Sequence, residues 1–175
     1  MRRVDLEHVI RAAAEIADDD EIIVVGSQAI LGSFPNAPDE LLVSEEADVY
    51  PKNRPDRSDL IDGSIGEGSP FHEAYGYYAQ GVDATTAVLP REWRERLVPV
   101  ENENTRGKTG WCLEPHDLVV SKTIAGREKD LLFLEGAARH RLVELDLLLT
   151  RLEETELDEA RRRLAAARLR RAFAG

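Results

Sequence analysis

Cysteine is nearly absent from this chain, and so are methionine and tryptophan: one, one and two residues, with all aromatics at 6%. The lone Cys112 cannot close an internal disulfide, so a reducing, cytoplasmic setting is the expectation. Beside Trp111 it reads as a small buried hydrophobe rather than a nucleophile. Long apolar runs are missing too, and nothing approaches the roughly 18 consecutive apolar residues of a membrane span. No apolar segment follows Met1-Arg2-Arg3-Val4-Asp5, so no secretory leader is expected. Positive charge is scarce. A formal charge of −11 opposes a surface that coats DNA, because such binding draws on counterions released from phosphates. It leaves room for a small basic pocket. The one concentrated basic segment, Arg161 to Arg163 with Arg168, Arg170 and Arg171, reads as the outer face of a terminal helix. His72, His116 and His140 stand in no metal-ligand spacing, which argues against zinc, and no Ser/His/Asp arrangement is legible.

What is present is an ordinary globular composition, 42% hydrophobic and 33% charged over 175 residues. That length suits one core, so residues 1–175 are expected as a single domain. Its first part, 1–110, is sheet-rich, and 111–175 is helical. Val4, Leu6, Val9, Ile10, Ala13 and Ile16 repeat at helical spacing. Ile22 to Val25 is a β-branched run suited to a strand buried on both faces. Strands are further expected at Leu41–Val43, Ala47–Tyr50, Tyr75–Val82 and Thr85–Leu89, with a helix over Asp56–Ile65. Pro115 opens a helix at the position where its missing N–H costs nothing. Thr155 is placed to cap the last helix, whose apolar stripe would be Leu157, Ala160, Leu164 and Ala167. The fold class is α/β, a mixed sheet flanked by helices with a helical C-terminal half.

Three segments carry chemistry. Gly26-Ser27 follows a strand and opens a helix, a geometry that offers N–H groups and a hydroxyl to phosphate; a plain capped turn is the alternative. Glu46 and Asp48 are one residue apart on a strand, so both carboxylates project from one face, as oxygen ligands of a hard ion such as Mg²⁺ do. An exposed polar strand face is the other reading. Lys122, Arg127 and Lys129 could meet a triphosphate with Asp130 holding one of the cations, or form a solvated helix face. Tyr75, Tyr77 and Tyr78 suit a core role or base stacking, with core preferred. Asn102, Asn104, Thr105 and Arg106 form a polar loop that could reach a substrate.

Taken together, these segments resemble the minimal nucleotidyltransferases, and most closely the DUF6036-type branch related to the AbiEii-like toxins of toxin–antitoxin systems. The likeness rests on Val24-Val25-Gly26-Ser27-Gln28-Ala29, Glu46-Ala47-Asp48-Val49, Leu89-Pro90 with Trp93 and Arg96-Leu97, and Ser121 to Asp130. The last resembles that branch's Lys-x4-Arg-x-Lys-Asp signature. The resemblance implies a nucleotidyltransferase fold and transfer of a nucleoside monophosphate from an NTP to a hydroxyl, with Mg²⁺ as cofactor. By resemblance Gly26 and Ser27 hold the triphosphate, Lys122, Arg127, Lys129 and Asp130 serve the nucleotide, and Glu46 and Asp48 bind metal as the catalytic pair. The acceptor would be a protein, tRNA or small molecule, and an antitoxin protein would be a partner. Three features depart from the pattern. Glu46 stands where the family usually has Asp, residues 28 to 45 lengthen the connection, and Thr85–Leu89, expected to carry a third carboxylate, has none. Asp83 and Glu73 are the nearest. A nucleotide- or partner-binding protein without turnover is therefore the second reading.

Overall fold

In the computed structural model, which describes residues 1–174, the β-branched run forms β1 (Glu21–Val24) at the centre of a five-stranded sheet. β2 (Glu46–Pro51) runs antiparallel beside it, and β3 (Tyr78–Gly81) runs parallel to β2 at the edge. On the other side β5 (Thr109–Cys112) is parallel to β1, and β4 (Val98–Val100) pairs antiparallel with β5. The order β3-β2-β1-β5-β4 is therefore mixed. Register aligns Ile23 with both Tyr50 and Trp111, Glu46 with Tyr78, and Asp48 with Gln80. Side chains alternate along a strand, so Glu46, Asp48 and Tyr50 share one face of β2 while Ala47 and Val49 line the other.

That second face carries α1 (Arg3–Ala17), whose Leu6, Val9, Ile10, Ala13 and Ala14 are fully buried as the helical spacing predicts. A Cβ at Gly110 would come within 2.3 Å of Ile10, so glycine is what lets α1 close on β5. α3 (Ser58–Ile65) packs on β3, where a Cβ at Gly81 would meet the Ser58 carbonyl at 2.0 Å. α2 (Ile30–Ser33) and α4 (Pro70–Tyr75) are short. The second half is α5 (Pro115–Ala125), α6 (Glu128–Arg139), α7 (Leu145–Glu153) and α8 (Glu159–Phe173). Leu118, Leu134, Leu148, Leu152 and Leu169 join the apolar cluster that begins under the sheet. Pro115 does stand in the first turn of α5. No helix among the described residues is long and apolar enough to cross a membrane.

Several expectations fail, each for a local reason. Thr85–Leu89 is not a strand: Asp83 accepts hydrogen bonds from the Thr85 N–H and hydroxyl, a local turn that competes with sheet pairing. Leu41–Val43 has no strand beside it. Asp39–Leu41 forms a single 3₁₀ turn, Leu41 is buried, and Val43 is 79% exposed. Tyr75 ends α4 and Gly76 takes φ +75° there, so β3 starts only at Tyr78. β5 went unread because Thr109-Gly110-Trp111-Cys112 is short and holds a glycine. The last helix is capped by Asp158, whose Oδ1 accepts from Arg161 N at 2.9 Å, while the Thr155 hydroxyl bonds the Arg151 carbonyl. Its buried side is accordingly Ala165 and Leu169, with Leu164 53% exposed.

The arginine run is not wholly an outer face either. Arg162 donates to the Leu152 and Thr155 carbonyls, and Arg168 to the Thr123 carbonyl. In the polar loop, Asn102 and Asn104 donate to the buried Glu7 carboxylate and so bind the loop to α1.

Candidate nucleotide and metal site

Beyond β1, Val25 continues the ladder with an N–H to the Asp48 carbonyl at 3.0 Å. The chain then turns at Gly26 into a 3₁₀ turn, Ser27–Ala29, that runs on into α2. The glycine is a steric requirement. A Cβ there would lie 1.9 Å from Asp48 Oδ2, so turn and carboxylate occupy their places only because the residue has no side chain. Gln28 is fully buried and donates to the Ser44 carbonyl, while the Ser44 hydroxyl accepts the Glu46 N–H. The long connection before β2 is thereby fastened beside the turn.

On β2 the two carboxylates project together. The Tyr78 hydroxyl donates to Glu46 Oε2 at 3.0 Å, and this contact with an anion adds to burial in pushing the phenol up to about 12. Burial, then the Glu46 charge and a hydrogen bond between the two carboxyls, push Asp48 up to about 7, against the pull of Lys122 and Lys129. Burial and the neighbouring Glu46 thus disfavour the ionised form of Asp48, which a further cation in this place would favour.

Cations stand across from them. Lys122 on α5 bonds Asp130 Oδ1 at 3.2 Å and lies 4.9 Å from the Phe133 ring. Burial lowers its pKa despite Asp130 and Asp48. Arg127 meets Asp130 with two nitrogens, at 2.7 and 3.2 Å. Asp130 is 0% exposed, and although burial works to raise it, hydrogen bonding from Arg127 and the Lys122 charge hold it below the usual carboxylate range.

These residues meet in one cleft of about 420 Å³, within the range of small-molecule sites. Ser27, Glu46, Asp48, Lys122, Arg127 and Lys129 line it. Gly26 and Asp130 do not. Gly26 backs the Asp48 carboxylate, and Asp130 stands behind the cations, anchoring Lys122 and Arg127 as a helix-to-helix tie. An apolar wall of Leu41, Val43, Leu132 and Phe133 completes the cleft, with Ser44 and Thr86 beside it. Sequence reasoning missed that wall. Its residues come from a loop and a helix that only the tertiary fold brings together. Tyr78 was missed as a partner of Glu46 because the contact depends on strand register.

Among the described residues no third carboxylate joins the pair: Glu40 lines the same cleft, but its oxygens are engaged by Arg139 and His140. Across β3 the residue in register with Asp48 is Gln80, Asp83 is engaged with Thr85, and no cluster of three or more His, Cys, Asp or Glu suited to a metal occurs among the described residues. Arg96, part of the sequence resemblance, serves the fold: its guanidinium holds the buried Asp117 of α5 at 2.8 and 3.1 Å.

A mixed sheet, a Gly-Ser turn leaving its central strand and a carboxylate pair on the next strand define an α/β protein of the nucleotidyltransferase type. The chain belongs to the DUF6036 family, described as a nucleotidyltransferase of unknown function, whose profile matches residues 4–173. No curated protein and no solved structure gives a significant match.

Proposed function

We propose that the protein is a Mg²⁺-dependent nucleotidyltransferase that moves a nucleoside monophosphate from an NTP to a hydroxyl of an acceptor. The observation that carries this reading is the pairing, within one cleft, of a crowded carboxylate couple with three cationic side chains. Glu46 and Asp48 suit Mg²⁺, which is commonly held by one or two carboxylates and completed by substrate phosphates rather than by a full protein cage. Bound there, the ion supplies charge that stabilises the departing pyrophosphate. Lys122, Arg127 and Lys129 face the triphosphate, and Ser27 offers it a hydroxyl and an N–H. The apolar wall of Leu41, Val43, Leu132 and Phe133 accepts the base or sugar. The acceptor is a protein, tRNA or small molecule, the setting is cytoplasmic, and an antitoxin protein is a candidate partner.

A second reading, nucleotide or partner binding without turnover, is favoured by Gln80 in register with Asp48, where a carboxylate would complete the metal set. Calorimetric titration of ATP, CTP, GTP and UTP with and without Mg²⁺ tests the site. Wild type is expected to bind only with the metal, and Glu46→Ala/Asp48→Ala to lose that binding. A folded wild type that binds no triphosphate would sink the enzyme reading. Binding without pyrophosphate release, across acceptor candidates of all three classes, selects the second.

A further inference from the structure

Lys122 and Arg127 reach the cleft from either side of a bend. α5 ends at Ala125, Gly126 takes φ +65° and gives its N–H to the Lys122 carbonyl, and α6 begins at Glu128. A left-handed glycine there is an ordinary helix end. What supports it is less ordinary. The Arg127 N–H, which in a continued helix would meet the Thr123 carbonyl, turns to Asp130 Oδ2 instead. That carbonyl is taken by α8, where Arg168 Nη1 donates to it at 2.8 Å. The same guanidinium fills the space that a Cβ at Gly126 would need.

Only Thr123 to Gly126 separate the two cations in sequence, and Arg168 touches both ends of that stretch. It lines no part of the cleft itself. Asp130 ties the side chains of Lys122 and Arg127, whereas Arg168 holds the backbone that carries them. A cation at the last turn of α5 also suits the helix dipole. α8 repeats the device on α7, where Arg162 donates to the Leu152 and Thr155 carbonyls at and just beyond the helix end. None of the residues lining the cleft comes from α7, so the two arginines make similar contacts with different consequences.

We propose that Arg168 is a positioning residue for the triphosphate: from α8 it holds the bend between α5 and α6 and thereby sets Lys122 and Arg127 against the cleft. The hold on the bend stands on these contacts alone, and its effect on the triphosphate rests on the function proposed above.

Arg168→Ala, Arg168→Lys and Arg162→Ala are compared with wild type where urea curves show all four folded; α8 keeps its buried Ala165 and Leu169 in each. Calorimetry uses Mg²⁺ with whichever of ATP, CTP, GTP and UTP wild type binds most tightly. Arg168→Ala is expected to bind it roughly three- to tenfold more weakly, on the scale of one net hydrogen bond. Arg168→Lys, which keeps a donor for the Thr123 carbonyl, should recover part of the loss. Arg162→Ala should lower the urea midpoint yet keep the wild-type affinity. Unchanged affinity in Arg168→Ala, or an equal loss in Arg162→Ala, overturns the positioning role. A second readout needs no ligand. Amide exchange at Gly126 is expected to quicken in Arg168→Ala while Ile23, in the central strand, keeps its wild-type protection. Exchange at Gly126 that matches wild type overturns the hold on the bend. If wild type binds no triphosphate, the transferase reading fails and the positioning role with it, and exchange at Gly126 alone decides whether Arg168 holds the bend.

Discussion

Gly26 has its identity set by a neighbour twenty-two positions away in sequence. Any Cβ at 26 enters the space of the Asp48 carboxylate, which is itself backed by Glu46 and the cations. Gly26→Ala is therefore expected to displace Asp48 and to cost about 1–3 kcal/mol, as overpacking does. Urea denaturation reads the cost. Calorimetry should show a loss of Mg²⁺-dependent triphosphate binding larger than the stability change alone explains. A variant with wild-type stability and wild-type binding would mean that turn and carboxylate part easily, against the close contact seen here. At this scale the shared face of Glu46 and Asp48 was legible from spacing, because period-two alternation is a property of any strand. The contact between Tyr78 and Glu46 was not, since it needs the parallel register of β2 and β3.

Elements meet the site through ion pairs that cross between them. Asp130, in the first turn of α6, holds Lys122 of α5 and the Arg127 that precedes α6. The Lys122 side chain is only 13% exposed, so removing its partner leaves a buried charge uncompensated. Asp130→Ala is expected to lower stability by about 3 kcal/mol, measured by urea denaturation. It should also weaken triphosphate binding, because two of the three cationic groups lose their orientation. Equal stability in variant and wild type would show that Lys122 finds water instead. The sequence reading grouped Lys122, Arg127, Lys129 and Asp130 as one helical segment through their likeness to the family signature, with Asp130 able to hold a cation or the group forming a solvated face; in the structure Gly126 divides that segment between α5 and α6. Which charges face the cleft and which stand behind them depended on how α5 and α6 pack.

Over the whole molecule, the turn between α1 and β1 is tied to the far end of β2 by Asp19. This buried carboxylate accepts the N–H groups of Glu21, Asn53 and Arg54 and the Asn53 amide. Burial works to raise its pKa, but those hydrogen bonds hold it below the ordinary aspartate value. The ionised form is thus bound more tightly in the folded protein than in the unfolded chain. Its contribution is complete above about pH 4, near the unfolded aspartate value, and is lost as pH falls through the lower folded value. Urea midpoints at pH 7 and pH 3 should differ less in Asp19→Asn than in wild type, with the variant weaker at pH 7. An unchanged pH difference would assign acid sensitivity to other carboxylates.

The sequence by itself determined the α/β class, the central strand, the first helix, the proline-started α5 and the residues of the carboxylate pair. Each of these follows from local periodicity or from the steric limits of one residue type. The strands it misplaced, Leu41–Val43 and Thr85–Leu89, have apolar or β-branched residues but no neighbouring strand to pair with, and local turns take their hydrogen bonds. Short β5 was invisible because its pairing with β1, not its composition, makes it a strand. Only the tertiary structure decided that the Gly-Ser turn, the carboxylates and the cations share one cleft. The physical reason is that periodicity orients side chains within an element, whereas a site is built from contacts between elements far apart in the chain.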